Sequence, residues 1–126
     1  MKALQVIQSA YRCTVEEQDD PAVWIAHAMK GAGGELDVLL RGSAVNYAVR
    51  DQDASGLSIG GRVHACPPEM DRDILALTER GVEVFVVTED AAERGIDASR
   101  FVSGVKEISR SRIPALFAEF DQIWNW

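Results

Sequence analysis

Cysteine and long apolar runs are scarce in this sequence of 126 residues. The two cysteines, Cys13 and Cys66, are too few for a disulfide framework and lack the paired spacing of zinc fingers. No stretch approaches the roughly 18 apolar residues of a membrane span, and the apolar part of Met1–Gln8 is too short for a signal peptide. These absences favour a cytoplasmic protein with reduced thiols and no membrane association.

Basic residues are also in deficit. Lys and Arg together number 13 against 20 for Asp and Glu, which gives a formal net charge of −7. The densest basic pair, Arg110 and Arg112, does not amount to a basic patch. Because an acidic protein repels phosphate backbones and anionic lipid, we expect neither nucleic-acid binding nor membrane-surface binding.

Motifs that bind phosphate or activate a serine are missing as well. There is no glycine-rich phosphate loop and no nucleophile elbow. The glycines at 31, 33 and 34 lie between a predicted helix and a strand, which is the wrong side of a strand for dinucleotide binding. They indicate a helix end, and no cofactor is expected.

The chain does contain enough apolar residues, 47%, to build a single hydrophobic core over residues 1–126. Asp20 and Pro21 form a helix start signal, and the polar segment 51–61 predicts a mobile loop. Strand and helix patterns alternate, which predicts an α/β three-layer sandwich with a mostly parallel five-stranded sheet and helices on both faces. The predicted strands are 3–8, 35–41, 82–87, 105–108 and 122–126, and the predicted helices are 21–30, 42–50, 67–80, 89–94 and 113–120.

Cys66 is the cysteine with the more suggestive surroundings. It lies directly before a helix that we predict to begin at Pro67, and proline favours an extended conformation at the preceding residue. On an extended segment His64 and Cys66 point to the same side. A helix N-terminus and an imidazolium stabilise a thiolate, whereas Glu69 and Asp71 would oppose it. Cys66 is therefore either a reactive thiol or an ordinary small loop residue.

Cys13 follows the first predicted strand, at the edge where parallel α/β sheets bind ligands. It is a second, weaker candidate for a functional thiol. His27 is expected to pack on its helix rather than to bind a ligand. A zinc site could in principle draw on four residues with suitable ligand atoms, Cys13, Cys66, His64 and His27. These residues lack the paired local spacing of zinc-binding motifs, so no metal is expected.

Two further features are open to alternative interpretations. Tyr11, Glu89 and Asp90 lie at predicted strand ends, where adjacent acids in an enzyme site can raise one another's pKa. On the first turn of a helix such acids ordinarily interact with the helix dipole instead. Trp124 and Trp126 share one face of the last predicted strand, so either a helix of the same chain or a second subunit covers them.

From Val82 onward the chain resembles the DsrE family of small sulfur-relay proteins, which includes the TusD, TusC and TusB subunits. The matching pieces are the strand 82–87 (VEVFVV), the turn 92–97 (AERGID), Gly104-Val105 and the ending 120–126 (FDQIWNW). The resemblance implies a flavodoxin-like, DsrE-like fold, assembly into trimers or hexamers, and transfer of sulfane sulfur as a cysteine persulfide between donor and acceptor proteins.

One departure from this family concerns the carrier cysteine, which lies, where present, at the end of the strand before the Arg-Gly turn. Here that place is held by residues 87–90, Val-Thr-Glu-Asp, and contains no sulfur. Two hypotheses follow. The chain is a sulfur carrier or sulfurtransferase that uses another cysteine, or it is a non-catalytic structural or regulatory subunit of the same fold. The carrier hypothesis places the thiol at Cys66 or Cys13, with His64, Tyr11, Thr88 and Glu89 as supporting residues.

Overall fold

The fold is a five-stranded parallel sheet with helices on both faces, seen in a computed structural model that describes residues 1–12 and 19–126. The strand order is β6-β5-β2-β1-β7, and a separate two-stranded sheet pairs β3 with β4. The strands are β1 (Lys2–Ile7), β2 (Glu35–Leu40), β3 (Ser58–Ile59), β4 (Arg62–Val63), β5 (Val84–Val87), β6 (Lys106–Ile108) and β7 (Gln122–Asn125). The α-helices are α1 (Pro21–Gly31), α2 (Met70–Glu79), α3 (Thr88–Glu93) and α4 (Ile113–Phe117), and 3₁₀ helices span Gly42–Ala48, Ala98–Arg100 and Arg110–Arg112.

The two faces of the sheet bury separate cores because successive side chains of a strand point to opposite faces. In β2, Val38 and Leu40 contribute to a larger core with α1, α2, α3 and the first 3₁₀ helix. Leu39 points the other way, into a smaller core with Ile113 and Leu116 of α4. Burial on both faces explains why β2 is an almost continuous apolar run rather than an alternating one. The predicted fold class is confirmed.

The start of α1 follows the local signal at Asp20 and Pro21. Asp20 adopts an extended conformation, and its carboxylate accepts a hydrogen bond of 2.8 Å from the N–H of Ala22. Pro21 supplies a first helical residue that needs no hydrogen-bond donor. Among the described residues the longest helix is α1, with 11 residues, and none has the length and apolar character that a membrane crossing requires.

The prediction of a helix from Pro67 is wrong by three residues, since α2 begins at Met70. Each proline of the pair disfavours helical geometry in the residue before it, and Glu69 has a φ of −120° and a ψ of 65°, outside the helical region. Cys66 therefore lies four residues before the helix rather than directly at its start.

Two other boundaries differ from those expected. The segment 51–61, expected as an irregular loop, contains β3, which pairs antiparallel with β4 through the turn at Gly60 and Gly61. The last helix, expected over 113–120, ends at Phe117, and a 3₁₀ helix precedes it. Short elements of this kind have few residues in which to express a periodic pattern, so the sequence defines them poorly.

The C-terminal strand β7 lies beside β1, with Gln5 opposite Trp124. Trp124 is half-buried against the larger core of its own chain. Its indole N–H donates to Oε1 of Gln122 at 2.9 Å. Trp126 is exposed to 38% of its surface. A core within the chain thus covers the first of these tryptophans, while the second remains partly open to solvent.

The smaller core provides a test of the fold. Replacing Leu39, which is fully buried, with alanine should lower the free energy of unfolding by about 2–5 kcal/mol, because the cavity cannot collapse between sheet and helix. The same change at Leu57, which is 48% exposed, should cost at most about 0.5 kcal/mol. Urea unfolding of dilute protein measures both, and equal losses would contradict the assignment of Leu39 to a core.

Candidate functional site

The carboxyl ends of all five strands meet at one edge of the sheet, since every pairing in it is parallel. After β1 the chain adds β2, β5 and β6 in turn on one side of β1, and β7 then pairs with β1 on its other side. This reversal lies between β1 and β7, and such a switch point is where open parallel sheets bind ligands. The residues that follow the strands at this edge are 8–12, 41–43, 88–90, 109–110 and Trp126.

The segment after β1 is held by the first 3₁₀ helix. The N–H of Ala10 donates to Oγ of Ser43 at 2.9 Å. The N–H groups of Tyr11 and Arg12 both donate to the hydroxyl of Tyr47, the latter at 3.3 Å. These bonds fix the path of the chain as it leaves the sheet.

Tyr47 is in turn bonded to the residue that caps α1. Its hydroxyl donates to Oδ2 of Asp20 at 2.5 Å, and both residues are fully buried. Burial first, and then the hydrogen bond to Asp20, raise the pKa of the Tyr47 phenol. The phenol therefore remains protonated and continues to donate at neutral pH.

Tyr11 has a strained backbone. Its φ is 60°, in the left-handed region that costs residues other than glycine about 1–2 kcal/mol. The ring of Tyr11 is 59% exposed and meets the ring of Tyr47 edge-on, with centroids 5.6 Å apart. Strain that surrounding hydrogen bonds impose on an exposed aromatic residue is typical of functional sites, so Tyr11 remains a candidate.

Gly42 and Asp90 join the ends of β2 and β5. Gly42 has a φ of 56°, and a Cβ there would come within 2.7 Å of the Gln8 carbonyl oxygen, so no other residue fits. Its N–H donates to Oδ2 of Asp90 at 2.7 Å, and Nη2 of Arg110 donates to Oδ1 at 2.6 Å. Burial opposes ionisation of Asp90, but these bonds and the charge of Arg110 hold its pKa below the usual range. Asp90 is therefore ionised, and its carboxylate holds Gly42 and Arg110 in place.

Glu89, the other acid of the pair, is also engaged by Arg110. Both of its carboxylate oxygens accept from the backbone N–H of Arg110, the shorter bond measuring 2.6 Å. A carboxylate occupied in this way is not poised for proton transfer. The geometry therefore favours the structural interpretation of Glu89 and Asp90 over an acid–base pair.

The position that the resemblance assigns to a carrier cysteine contains no thiol. Val87 is fully buried in the smaller core. Thr88 is exposed, and its hydroxyl donates to the carbonyl of Ile108 at 3.3 Å. The end of β5 is thus filled by packing and hydrogen bonds.

Cys66, the cysteine that the described residues include, is exposed on the segment between β4 and α2. Cys66 and the half-buried His64 line a concave surface that encloses a volume of about 500 Å³. The residues lining this surface are Leu57, Ile59, Arg62, Val63, His64, Ala65 and Cys66. The structure therefore brings Cys66 and His64 to one surface that belongs to the hairpin and not to the strand ends. Cys13 lies outside the described residues.

His27 packs between α1 and α2, as expected. Its Nε2 lies 2.9 Å from the carbonyl oxygen of Asp73 and so carries the proton, and its Nδ1 accepts from Arg80 at 3.3 Å. Within residues 1–12 and 19–126, no three side chains of the metal-binding types come together to hold an ion.

Asp73 is unusual among the acids of this region. Burial, followed by repulsion from Asp19, raises its pKa to about 6. No hydrogen bond to its carboxylate is seen within the described part of the chain. The charge of Asp73 is therefore poorly compensated at neutral pH.

Sequence reasoning missed Tyr47 and Arg110, on which these arrangements depend. The pairing of Asp90 with Arg110 depends on the strand order, because only the adjacency of β5 and β6 brings the two residues together. No local pattern marks Tyr47, whose partners are 27 and 36 residues away.

No protein-family model and no curated protein matches the chain. Among solved structures it is similar to the ychN protein of E. coli, with 18% identity and a TM-score of 0.76, over 99% of this chain and 98% of that one. A protein of unknown function from Methanobacterium thermoautotrophicum has 14% identity and a TM-score of 0.66, covering 98% and 97%. A conserved protein of unknown function from Bacteroides thetaiotaomicron has 14% identity and a TM-score of 0.68, covering 98% and 94%. At these identities the likeness establishes the fold over the whole chain.

The backbone strain at Tyr11 predicts a difference between two variants. Tyr11→Gly and Tyr11→Ala both lose the ring contact with Tyr47, but only alanine retains the left-handed penalty. We expect the glycine variant to be more stable by about 1 kcal/mol. Thermal or urea unfolding of the two proteins measures this, and a more stable alanine variant would show that the backbone is not strained.

The raised pKa of Asp73 predicts a pH dependence. The folded chain holds a proton on Asp73 up to about pH 6, whereas the unfolded chain releases it near the ordinary aspartate pKa of 3.8. The contribution of Asp73 to stability therefore falls as the pH rises between these values. Because Asp73 is half exposed, we expect Asp73→Asn to stabilise dilute protein at pH 7 by only about 1 kcal/mol.

The gain from Asp73→Asn should disappear below about pH 4, where both proteins are uncharged at this position. Urea titrations of both proteins across this pH range measure the difference. A gain that is the same at every pH would exclude the proton on Asp73 as its cause.

Proposed function

We propose that this chain is a sulfur-handling protein of the kind that its resemblance to the DsrE family implies, with Cys66 as the thiol that carries sulfane sulfur. The observation that carries this proposal is the exposed thiol of Cys66 on a concave, largely apolar surface shared with His64. Exposure matters because a carrier thiol must meet the cysteines of both a donor and an acceptor.

The topology supports this location. β2 ends at Leu40 at the carboxyl edge, and α2 returns from that side to the start of β5 at the opposite edge. The segment that bears Cys66 precedes α2 in this connection, and its surface belongs to the hairpin that extends from that side of the sheet.

The two acids that follow Cys66 in the sequence are engaged within the fold. Glu69, which the sequence suggested as an opposing charge, forms an ion pair with Arg72 at 2.8 Å. Asp71 is turned into the fold, where its carboxylate accepts from the N–H of Gln52 at 3.3 Å. Neither acid lines the concave surface that holds Cys66, whereas Arg62 does.

The transfer needs no oxidant or cofactor. The Cys66 thiolate attacks the outer sulfur of a donor persulfide, the donor sulfur–sulfur bond breaks, and the donor leaves as a thiolate. The new bond makes Cys66 a persulfide, and an acceptor thiolate removes the sulfur by the same reaction. His64 is placed on the same surface to take up or return the thiol proton.

A second candidate function is a non-catalytic subunit of the same fold. It is favoured by Thr88, which stands where the resemblance expects the carrier sulfur and holds its hydroxyl on the carbonyl of Ile108. Val87, just before it, is buried in the smaller core. A chain of this kind would contribute surface and stability to an assembly in which another subunit carries sulfur.

Intact mass measurement after incubation with a protein persulfide donor distinguishes the two. We expect wild type and Cys13→Ser to gain the mass of one sulfur atom, reversible by dithiothreitol, and Cys66→Ser to gain none. The serine variants are matched controls because each removes a single sulfur with little change of volume.

A gain retained by Cys66→Ser and lost by Cys13→Ser would move the carrier to Cys13. No gain in the wild type would exclude transfer and favour the non-catalytic subunit.

A further inference from the structure

The hairpin segment 54–68, which includes β3 and β4, differs from the rest of this acidic chain. It contains no Asp or Glu; its one residue with a permanent charge is Arg62, and His64 and Cys66 are its other titratable residues. Its apolar side chains face solvent, with Leu57, Ile59 and Val63 exposed by 48%, 55% and 69%. An apolar surface with positive charge on a protein of net charge −7 is typical of a docking surface rather than a solvated loop.

Arg62, at the centre of this hairpin, has no partner for its guanidinium among residues 1–12 and 19–126. Some other cations of the chain have carboxylate partners, as Lys2 has Asp37 at 2.7 Å. A planar guanidinium flanked by apolar side chains is suited to a pocket that offers carboxylates and an aromatic face.

A second surface, which offers carboxylates and an aromatic side chain, lies between α1 and α2. We call it the α1–α2 groove; it is a cavity of about 200 Å³ lined by Asp19, Val23, Trp24, His27 and Asp73. Trp24 is 57% exposed. His27 is turned toward Arg80, with its Nδ1 3.3 Å from Nη1 of that residue. The groove therefore offers two carboxylates and an open indole among its lining residues.

We propose that a second copy of this chain docks on these surfaces, with Arg62 of each copy inserted into the α1–α2 groove of the other. The guanidinium would bridge Asp19 and Asp73 and lie against the Trp24 ring, which combines an ion pair with a cation–π contact. Leu57, Ile59 and Val63 would lose their exposure to water at the same time.

The arrangement is reciprocal because both surfaces belong to the same end of α2. The hairpin leads into α2 at Met70, and Asp73 lies in the first turn of that helix. A two-fold axis beside this turn brings each hairpin to the partner's groove, so that one interface forms both contacts. Arginine and tryptophan are also the residues that most often dominate the binding energy of interfaces. Docking would cover part of the concave surface that Cys66 lines, so the sulfur transfer proposed above would take place in the undocked chain.

Sedimentation velocity over a range of protein concentrations tests the pairing. We expect wild type to associate, and Arg62→Glu to weaken association about tenfold or more, because it places a carboxylate against two others. Asp73→Arg should weaken it similarly. The double variant Arg62→Glu, Asp73→Arg should recover part of the association, since the carboxylate introduced at position 62 then faces a cation at position 73 while Asp19 still opposes it.

Arg100→Glu is the matched control, because it makes the same charge change at an exposed arginine elsewhere on the chain; it should associate like wild type. Circular dichroism checks that each variant folds. Three results would overturn the proposal: a wild type that stays monomeric at every concentration, an Arg62→Glu variant that associates as wild type does, or a double variant that fails to recover. The first result would leave a different, acidic protein as the occupant of the hairpin surface.

Discussion

The hydrogen bond between Tyr47 and Asp20 joins three parts of the chain that are distant in sequence. Asp20 caps α1 through the N–H of Ala22 and accepts the Tyr47 proton with its other oxygen. The hydroxyl oxygen of Tyr47 in turn accepts hydrogen bonds from the N–H groups of Tyr11 and Arg12. Because Asp20 and Tyr47 are fully buried, loss of either would leave polar groups without partners, at a cost of about 1–3 kcal/mol for each. This one pair of side chains therefore stabilises three segments at once: the chain that leaves β1, the start of α1 and the first 3₁₀ helix.

A second buried carboxylate closes the neighbouring part of the same edge. Asp90 accepts from Gly42 and from Arg110, so the ends of β2, β5 and β6 are held by one side chain. These bonds use the positions where parallel sheets commonly place reactive groups, and Val87 fills the remaining space. These hydrogen bonds and the packing of Val87 restrict the motion of this edge of the sheet. For this reason the sulfur chemistry that we propose involves Cys66, on the hairpin, rather than the strand ends.

Charge is distributed unevenly over the molecule, and both proposals use this. The hairpin has Arg62, His64 and Cys66 with no acid among them, whereas the α1–α2 groove holds Asp73 in a state that burial and nearby carboxylates make unfavourable. Retention of an uncompensated carboxylate costs stability, and a cation from outside the chain would remove that cost. Arg62 is a cation of suitable shape that lacks a partner in the described part of its own chain.

The sequence by itself determined the elements whose signals are local. Asp20 and Pro21 specify the start of α1 from adjacent residues, and the apolar run at β5 is long enough to define a buried strand, so the fold class was predictable. Only the tertiary structure decided the strand order, the pairing of Asp90 with Arg110 and the role of Tyr47, because each depends on residues that folding alone brings together. The separation of Cys66 from its helix was also a structural outcome, since two prolines and Glu69 delay the first turn of α2. Local propensity fixes what a segment becomes, whereas burial and pairing across the sheet fix where it lies and what its side chains touch.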